Sequence, residues 1–174
     1  VFGHWSSDVC SSDLHPTIAP DEVENACRAG FMPMALRLGG GQDGQAFLTP
    51  KLHRERCLLD PRETHATRTA LRESNRYALS LNRAFSEVLD ACVATHGDGW
   101  LLPELVEAFR TLHEERDRRQ VAFISMELWT DRAPSPVPVA GEIGYLIGSA
   151  YASLTGYSRV SGAEIGRASC RERV

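Results

Sequence analysis

The tightest constraint on the fold lies between Val121 and Thr155, where three β-forming runs follow one another closely. Val121 to Thr130 alternates in part and is rich in β formers, which predicts a strand. Asp131 to Pro138 holds three prolines and predicts a loop. Val139 to Ile147, a turn at Gly148-Ser149 and Ala150 to Thr155 predict a β-hairpin. The result is an antiparallel meander.

Helical signals precede it. Pro20-Asp-Glu-Val-Glu24 suits a first helical turn, because proline and acidic residues favour that position. The helix is expected to run to about Ala29 and stop at Gly30. The Gly-rich run Gly39-Gly-Gly-Gln-Asp-Gly44 matches no phosphate loop: no Lys-Ser/Thr follows it and no strong strand precedes it. It predicts a hairpin or loop. Leu48 to Leu59 reads as an extended segment, Pro61 to Arg76 as mostly helical, and Tyr77 to Leu81 as a short strand. Asn82 suits a helix cap. Phe85, Val88, Leu89 and Cys92 then form one apolar stripe at i, i+3, i+4 and i+7. After the break at Gly97-Asp-Gly-Trp100, Pro103-Glu104 starts a second helix with Leu105, Phe109 and Leu112 on one face. Arg110 to Arg119 reads as its solvated, charged end. Helices followed by an antiparallel meander indicate an α+β fold rather than a doubly wound parallel sheet.

The two ends read differently. Glu164 to Val174 and Asp8 to Leu14 each back-translate to a sequencing-library adapter, so residues 1–14 and 164–174 are expected to be adapter-derived and are left out of fold reasoning. The open reading frame is then expected to be cut at both ends. About 149 residues remain, enough for one ordinary core or two small joined lobes. Setting the ends aside removes three Arg, two Asp and two Glu from the chain totals and leaves 16 basic against 19 acidic residues. Any nucleic-acid contact must then come from a local patch rather than the global field. The cationic cluster Lys51, His53, Arg54 and Arg56, with Arg62, Arg68 and Arg72, is the candidate for phosphate contact, the alternative being a plain solvated surface. Cys27, Cys57 and Cys92 are widely spaced with no Cys-x-x-Cys pair. That argues for a reducing compartment and against a zinc site or disulfide framework. No apolar run approaches a membrane span.

Several stretches together resemble the leucyl/phenylalanyl-tRNA–protein transferases. They are Asn82-Arg-Ala-Phe-Ser-Glu-Val-Leu-Asp-Ala-Cys92, Gly99-Trp100-Leu-Leu-Pro-Glu-Leu-Val-Glu-Ala-Phe109, Leu112-His113, Ser125-Met-Glu-Leu-Trp129, and the glycines at 141, 144 and 148. Pro20 to Gly30 with Phe31-Met-Pro33 is similar to the family's N-terminal helix and Phe-Pro turn. The resemblance implies a small N-terminal lobe over 15–76 and, over 77–163, an incomplete acyltransferase domain of the GNAT type with an antiparallel β-meander. It implies a cytoplasmic enzyme that moves Leu or Phe from aminoacyl-tRNA to the N-terminal Arg or Lys of an acceptor protein, marking it for degradation. It implies no cofactor beyond the aminoacyl-tRNA donor, no metal and no membrane partner. The chemistry is aminolysis of an ester, in which positioning supplies on the order of 7–11 kcal/mol in good cases and a carboxylate or relayed water takes the proton.

By the same resemblance Trp100, Tyr157 and Ser158 are substrate-binding candidates, and Lys51, Arg54, Arg56, Arg68 and Arg72 are tRNA-binding candidates. Trp100 reads equally as a core or hinge aromatic, and Tyr157 and Ser158 as the end of a strand. The sequence departs from the family at two places. Met34 and Phe47-Leu-Thr-Pro50 stand where the family has tryptophans. Leu154 stands where it has a glutamate that orients the nucleophile, so the catalytic group is unknown. Glu142 is the possible substitute. With a two-residue turn at Gly148-Ser149, residue 143 pairs with 154 and 142 with 155, so Glu142 points away from Leu154; a three-residue turn reverses this. Two other readings remain open. Arg159-Val-Ser-Gly-Ala163 resembles the start of an acyl-CoA pyrophosphate loop, which implies an acyl-CoA-dependent transferase. A binding module that kept the scaffold without catalysis is the other. In either case the 174-residue chain is expected to be inactive.

Overall fold

The computed structural model describes residues 14–39, 44–53, 58, 60, 62, 68–97, 99–130 and 138–160. The first helix, α1, spans Pro20–Arg28, with Pro20 at its start, Asp21 and Glu22 in its first turn and Arg28 in its last. These charges match the helix dipole at both ends. Its inner face carries Val23, Ala26 and Cys27, all buried. Ala35–Leu38 (β1) and Gln45–Leu48 (β2) pair antiparallel, with Ala35 opposite Leu48. A strand does precede the Gly-rich run, of which residues 40–43 lie outside the described residues. Four residues carry too little alternation to announce that strand in the sequence.

Helix α2 spans Arg68–Ser74. Of the longer helical stretch expected from Pro61 to Arg76, residues 61 and 63–67 lie outside the described residues, and residues 75 and 76 form a turn. The chain continues through β3 (Ala78–Leu81), α3 (Phe85–His96), α4 (Pro103–Glu114), one turn of 3-10 helix (Arg116–Arg118), β4 (Ala122–Trp129), β5 (Ala140–Ile147) and β6 (Ala150–Ser158). The last four strands form one antiparallel sheet in the order β3-β4-β5-β6. The fold is α+β with an antiparallel meander. Of the proline loop expected between β4 and β5, residues 131–137 lie outside the described residues.

The apolar stripes predicted on α3 and α4 are the core. Phe85, Val88, Leu89 and Cys92 of α3 and Leu105, Phe109 and Leu112 of α4 are all buried, together with Phe123, Ile143 and Tyr145 of the sheet. Each fully buried side chain of this size contributes roughly 1.5–3 kcal/mol. Phe109, Phe123 and Tyr145 continue ring to ring, with centroids 4.9 and 5.7 Å apart, within the range favoured by aromatic pairs. The helices approach β5 closely because residue 141 has no side chain. A Cβ there would lie 2.8 Å from both methyl carbons of Val88 and 3.0 Å from Tyr157 Cε1.

Asn82 does not cap α3. It has φ +58° and lies three residues before the helix. Its side chain accepts the Ser125 N–H at 3.0 Å, and its own N–H donates to the Ser125 carbonyl at 3.0 Å. Asn82 therefore fastens the β3–α3 turn to β4. The acceptor at the start of α3 comes from the sheet instead. Glu127 of β4 is fully buried, and its carboxylate accepts the N–H groups of Ala84 at 3.3 Å and Arg83 at 3.5 Å. It also accepts the Ser80 and Ser125 hydroxyls, each at 2.5 Å. Trp129 Nε1 donates to Ser80 Oγ at 2.7 Å, and the Arg83 guanidinium lies 4.7 Å from the Trp129 ring centroid.

Nor is the end of α4 a solvated face throughout. Arg119 bonds to Asp21, to Glu24 at 2.9 Å and to Glu115 at 2.5 Å. Glu24 is itself buried and accepts the N–H groups of Gln120 at 2.9 Å and Val121 at 3.2 Å. Charge-assisted bonds of this kind are among the stronger ones, and here they join α1 to the chain entering β4. Arg110 likewise donates to Asp90 of α3 at 2.6 Å.

Two substitutions check this account. Glu127→Gln puts an NH2 donor where only donors converge, and is expected to lower unfolding free energy by about 1.5–3 kcal/mol. Gly141→Ala over-packs the contact with Val88 and is expected to cost about 1–3 kcal/mol. Urea midpoints at unchanged m-value read both; wild-type midpoints would contradict the assignments.

Candidate functional site

The sheet has two unlike faces. Residues 141, 143 and 145 of β5 and Phe123, Ser125 and Glu127 of β4 turn toward α3 and α4. By alternation the opposite face carries Leu79, Leu81, Met126, Leu128, Glu142, Gly144 and Tyr151. The strands meet there in the order Leu81–Met126–Glu142–Gly156 across the sheet.

The turn at Gly148-Ser149 has two residues, as the sequence predicts, with Ile147 opposite Ala150. The register expected beyond it does not persist. A bulge between Ile143 and Gly144 lets Gly144 pair with Ser153 and Ile143 with Thr155, so Glu142 pairs with Gly156. Leu154 is the extra residue. A bulge puts two residues of one strand against one of its partner, and Leu154 and Thr155 are both buried beside Ile143, at 8% and 6% exposed. Leu154 faces the core with or without the bulge; what the bulge changes is the register after it, so that Tyr157 rather than Gly156 meets Gly141 on the core face. Glu142 and Leu154 belong to opposite sides of the sheet, as the sequence predicts.

Glu142 is 4% exposed, and Tyr151, 36% exposed, donates its hydroxyl to Glu142 Oε1 at 3.1 Å. The tyrosine reaches the carboxylate by lying across Gly144. A Cβ at Gly144 would stand 2.4 Å from Tyr151 Oη and 2.5 Å from the Ala152 carbonyl oxygen. Only a residue without a side chain leaves that path open.

The other candidates are distributed more widely. Trp100 is partly buried against the core, and its carbonyl accepts the Ala35 N–H at 3.3 Å, at the junction of β1 with the start of α4. Tyr157 is buried on the helix side, and its hydroxyl donates to the Pro138 carbonyl at 3.0 Å. Burial raises its pKa above the usual tyrosine value, with the nearby Arg159 opposing. Ser158 pairs with Ala140 and donates to the Val160 carbonyl at 2.9 Å. Lys51 follows β2 and bridges Met32. Arg68 and Arg72 stand one turn apart on α2, both exposed. Arg54 and Arg56 lie outside the described residues, and Arg62 pairs with Asp60 at 2.9 Å. Cys27 and Cys92 are buried free thiols. Burial pushes the Cys27 thiol up to about 12, beyond nucleophilic use. Among the described residues no helix is long and apolar enough to cross a membrane.

Glu127 and Tyr151 are the two residues whose position matters and whose roles the sequence did not announce. The Ser-x-Glu-x-Trp spacing does put Ser125, Glu127 and Trp129 on one strand face. Nothing local shows that β3 and the start of α3 supply the remaining donors.

The family model described as leucyl/phenylalanyl-tRNA protein transferase matches residues 58–165, more than half of the chain. The leucyl/phenylalanyl-tRNA–protein transferase of Nitrosomonas eutropha is 33% identical over 150 residues, which cover 82% of this chain and 56% of the relative. That of Psychromonas ingrahamii is 26% identical over 149 residues, covering 82% and 55%. That of Desulfatibacillum aliphaticivorans is 37% identical over 124 residues, covering 66% and 46%. The chain belongs to the leucyl/phenylalanyl-tRNA–protein transferase family. It spans about half the length of the curated relatives it matches.

His113 gives this region a pH dependence. Its ring stacks on Phe85 with centroids 3.9 Å apart, and Nδ1 contacts the Phe123 carbonyl at 2.9 Å. Burial lowers its pKa below 6.5. Above that pH the ring is neutral in both states and contributes no pH dependence. As pH falls below it, the unfolded chain takes up the proton first, so stability drops until the lower folded pKa is passed. His113→Gln is expected to lose less stability than wild type between about pH 7 and 5, read by urea midpoints; equal losses would exclude His113 as the source.

Proposed function

We propose that the protein carrying this segment is an aminoacyltransferase that moves Leu or Phe from aminoacyl-tRNA to the N-terminus of an acceptor protein. The observation that carries this reading is the family match over residues 58–165. The finer reading follows the family resemblance. The acceptor begins with Arg or Lys, the product is tagged for degradation, and the reaction runs in the cytoplasm without a cofactor. The 77–163 segment is read as part of a GNAT-type acyltransferase domain, and 15–76 as a small lobe leaning on it. The Arg119–Glu24 network supports the leaning contact, and the meander with two helices on one face supports the domain.

In this reading the acyl ester is attacked by the acceptor's unprotonated amine. Trp100, Tyr157 and Ser158 are assigned to substrate binding. Lys51, Arg54, Arg56, Arg68 and Arg72 are assigned to tRNA phosphates, and such contacts make affinity salt-dependent. The carboxylate chemistry cannot come from position 154, since a leucine neither accepts a proton nor bonds an amine.

The test is direct. Full-length protein, leucyl- or phenylalanyl-tRNA and an Arg-initiated peptide are expected to give transfer of the amino acid to the peptide N-terminus. No transfer from either tRNA would overturn the reading.

A further inference from the structure

Resting on that reading, we infer that Tyr151 and Glu142 form the proton-handling pair of the transfer reaction, on the sheet face opposite Leu154. Three observations converge on it. The phenol is reachable, at 36% exposed, while the carboxylate behind it is buried at 4%. The hydroxyl donates to Glu142 Oε1 at 3.1 Å. The ring is laid along that path by Gly144, where a Cβ would collide with Oη at 2.4 Å.

The arrangement suits a relay. A phenol that donates its proton to a carboxylate can also accept one through its oxygen lone pairs. The acceptor's amine nitrogen attacks the ester carbonyl carbon, forming the C–N bond as the carbonyl π pair moves to oxygen. The nitrogen gives its proton to Tyr151 Oη, and the phenol proton passes to Glu142. When the tetrahedral intermediate collapses, the C–O bond to the ribose breaks. The proton then returns from Glu142 through Tyr151 to the leaving ribose oxygen. The products are an amide and a ribose hydroxyl, and both side chains end as they began. Tyr151 is the catalytic residue here, because it meets the reacting atoms. Glu142 acts through it, as a positioning residue and proton store.

The test uses the full-length protein with charged tRNA and an Arg-initiated peptide. Tyr151→Phe deletes only the hydroxyl and is expected to lower kcat on the order of 10²–10⁴-fold with KM unchanged. Glu142→Gln keeps an acceptor for Tyr151 but cannot store a proton, and is expected to lower kcat with KM unchanged. Glu142→Asp is expected to restore part of the rate. A merely structural role would lower the melting temperature and leave the turnover of the folded protein at the wild-type level. Wild-type kcat in Tyr151→Phe or in Glu142→Gln, or a loss confined to KM, would each overturn the pair while leaving the proposed transferase standing. A wild-type protein that transfers from neither tRNA would overturn both.

Discussion

Four donors from three segments converge on the fully buried carboxylate of Glu127: the Ser80 hydroxyl from β3, the Ser125 hydroxyl from β4, and the Arg83 and Ala84 amides that lead into α3. A buried carboxylate without such partners would cost several kcal/mol. Strands β3 and β4 and helix α3 therefore have one arrangement in which that cost is met. Everything that packs on α3 inherits its placement, including the α3–α4 layer, the Val88–Gly141 contact and the aromatic chain from Phe109 to Tyr145. The location also suits the helix, whose N-terminal end favours negative charge.

A second buried carboxylate does the corresponding work between α1 and the chain entering β4. Glu24 takes the two backbone amides ahead of β4 and pairs with Arg119, which in turn holds Asp21 and Glu115. Both sites use the same device. A charge placed inside the fold is satisfied by main-chain amides that a neighbouring element leaves unpaired. This is a specific joint rather than a greasy one, because amides and carboxylates meet in few geometries.

The β5–β6 hairpin carries the functional question. Leu154 faces the core and Glu142 lies on the other side, bonded to a tyrosine that only Gly144 lets pass.

Much of the fold was legible in the sequence, and the legible part is local. The stripes on α3 and α4 follow from a 3.6-residue period, the strands from β-branched and aromatic runs, the start of α1 from proline and acids, and the two-residue turn from Gly148-Ser149. The motifs those elements carry, in their order, resemble the family's and sufficed to indicate it. What the sequence misjudged depends on partners far along the chain. Asn82 looks like a cap because asparagine often is one, yet residue 127, 45 positions on, supplies the acceptor. Arg119 looks solvated because its sequence neighbours are charged, yet its partners begin at Asp21. The register past Gly144 depends on whether Gly156 or Tyr157 meets Gly141 on the core face, and no window of sequence contains the core. The sequence determined which elements form and in what order. The tertiary structure decided which charges are buried and which face each side chain serves, because both depend on desolvation and packing between segments that meet only in the folded chain.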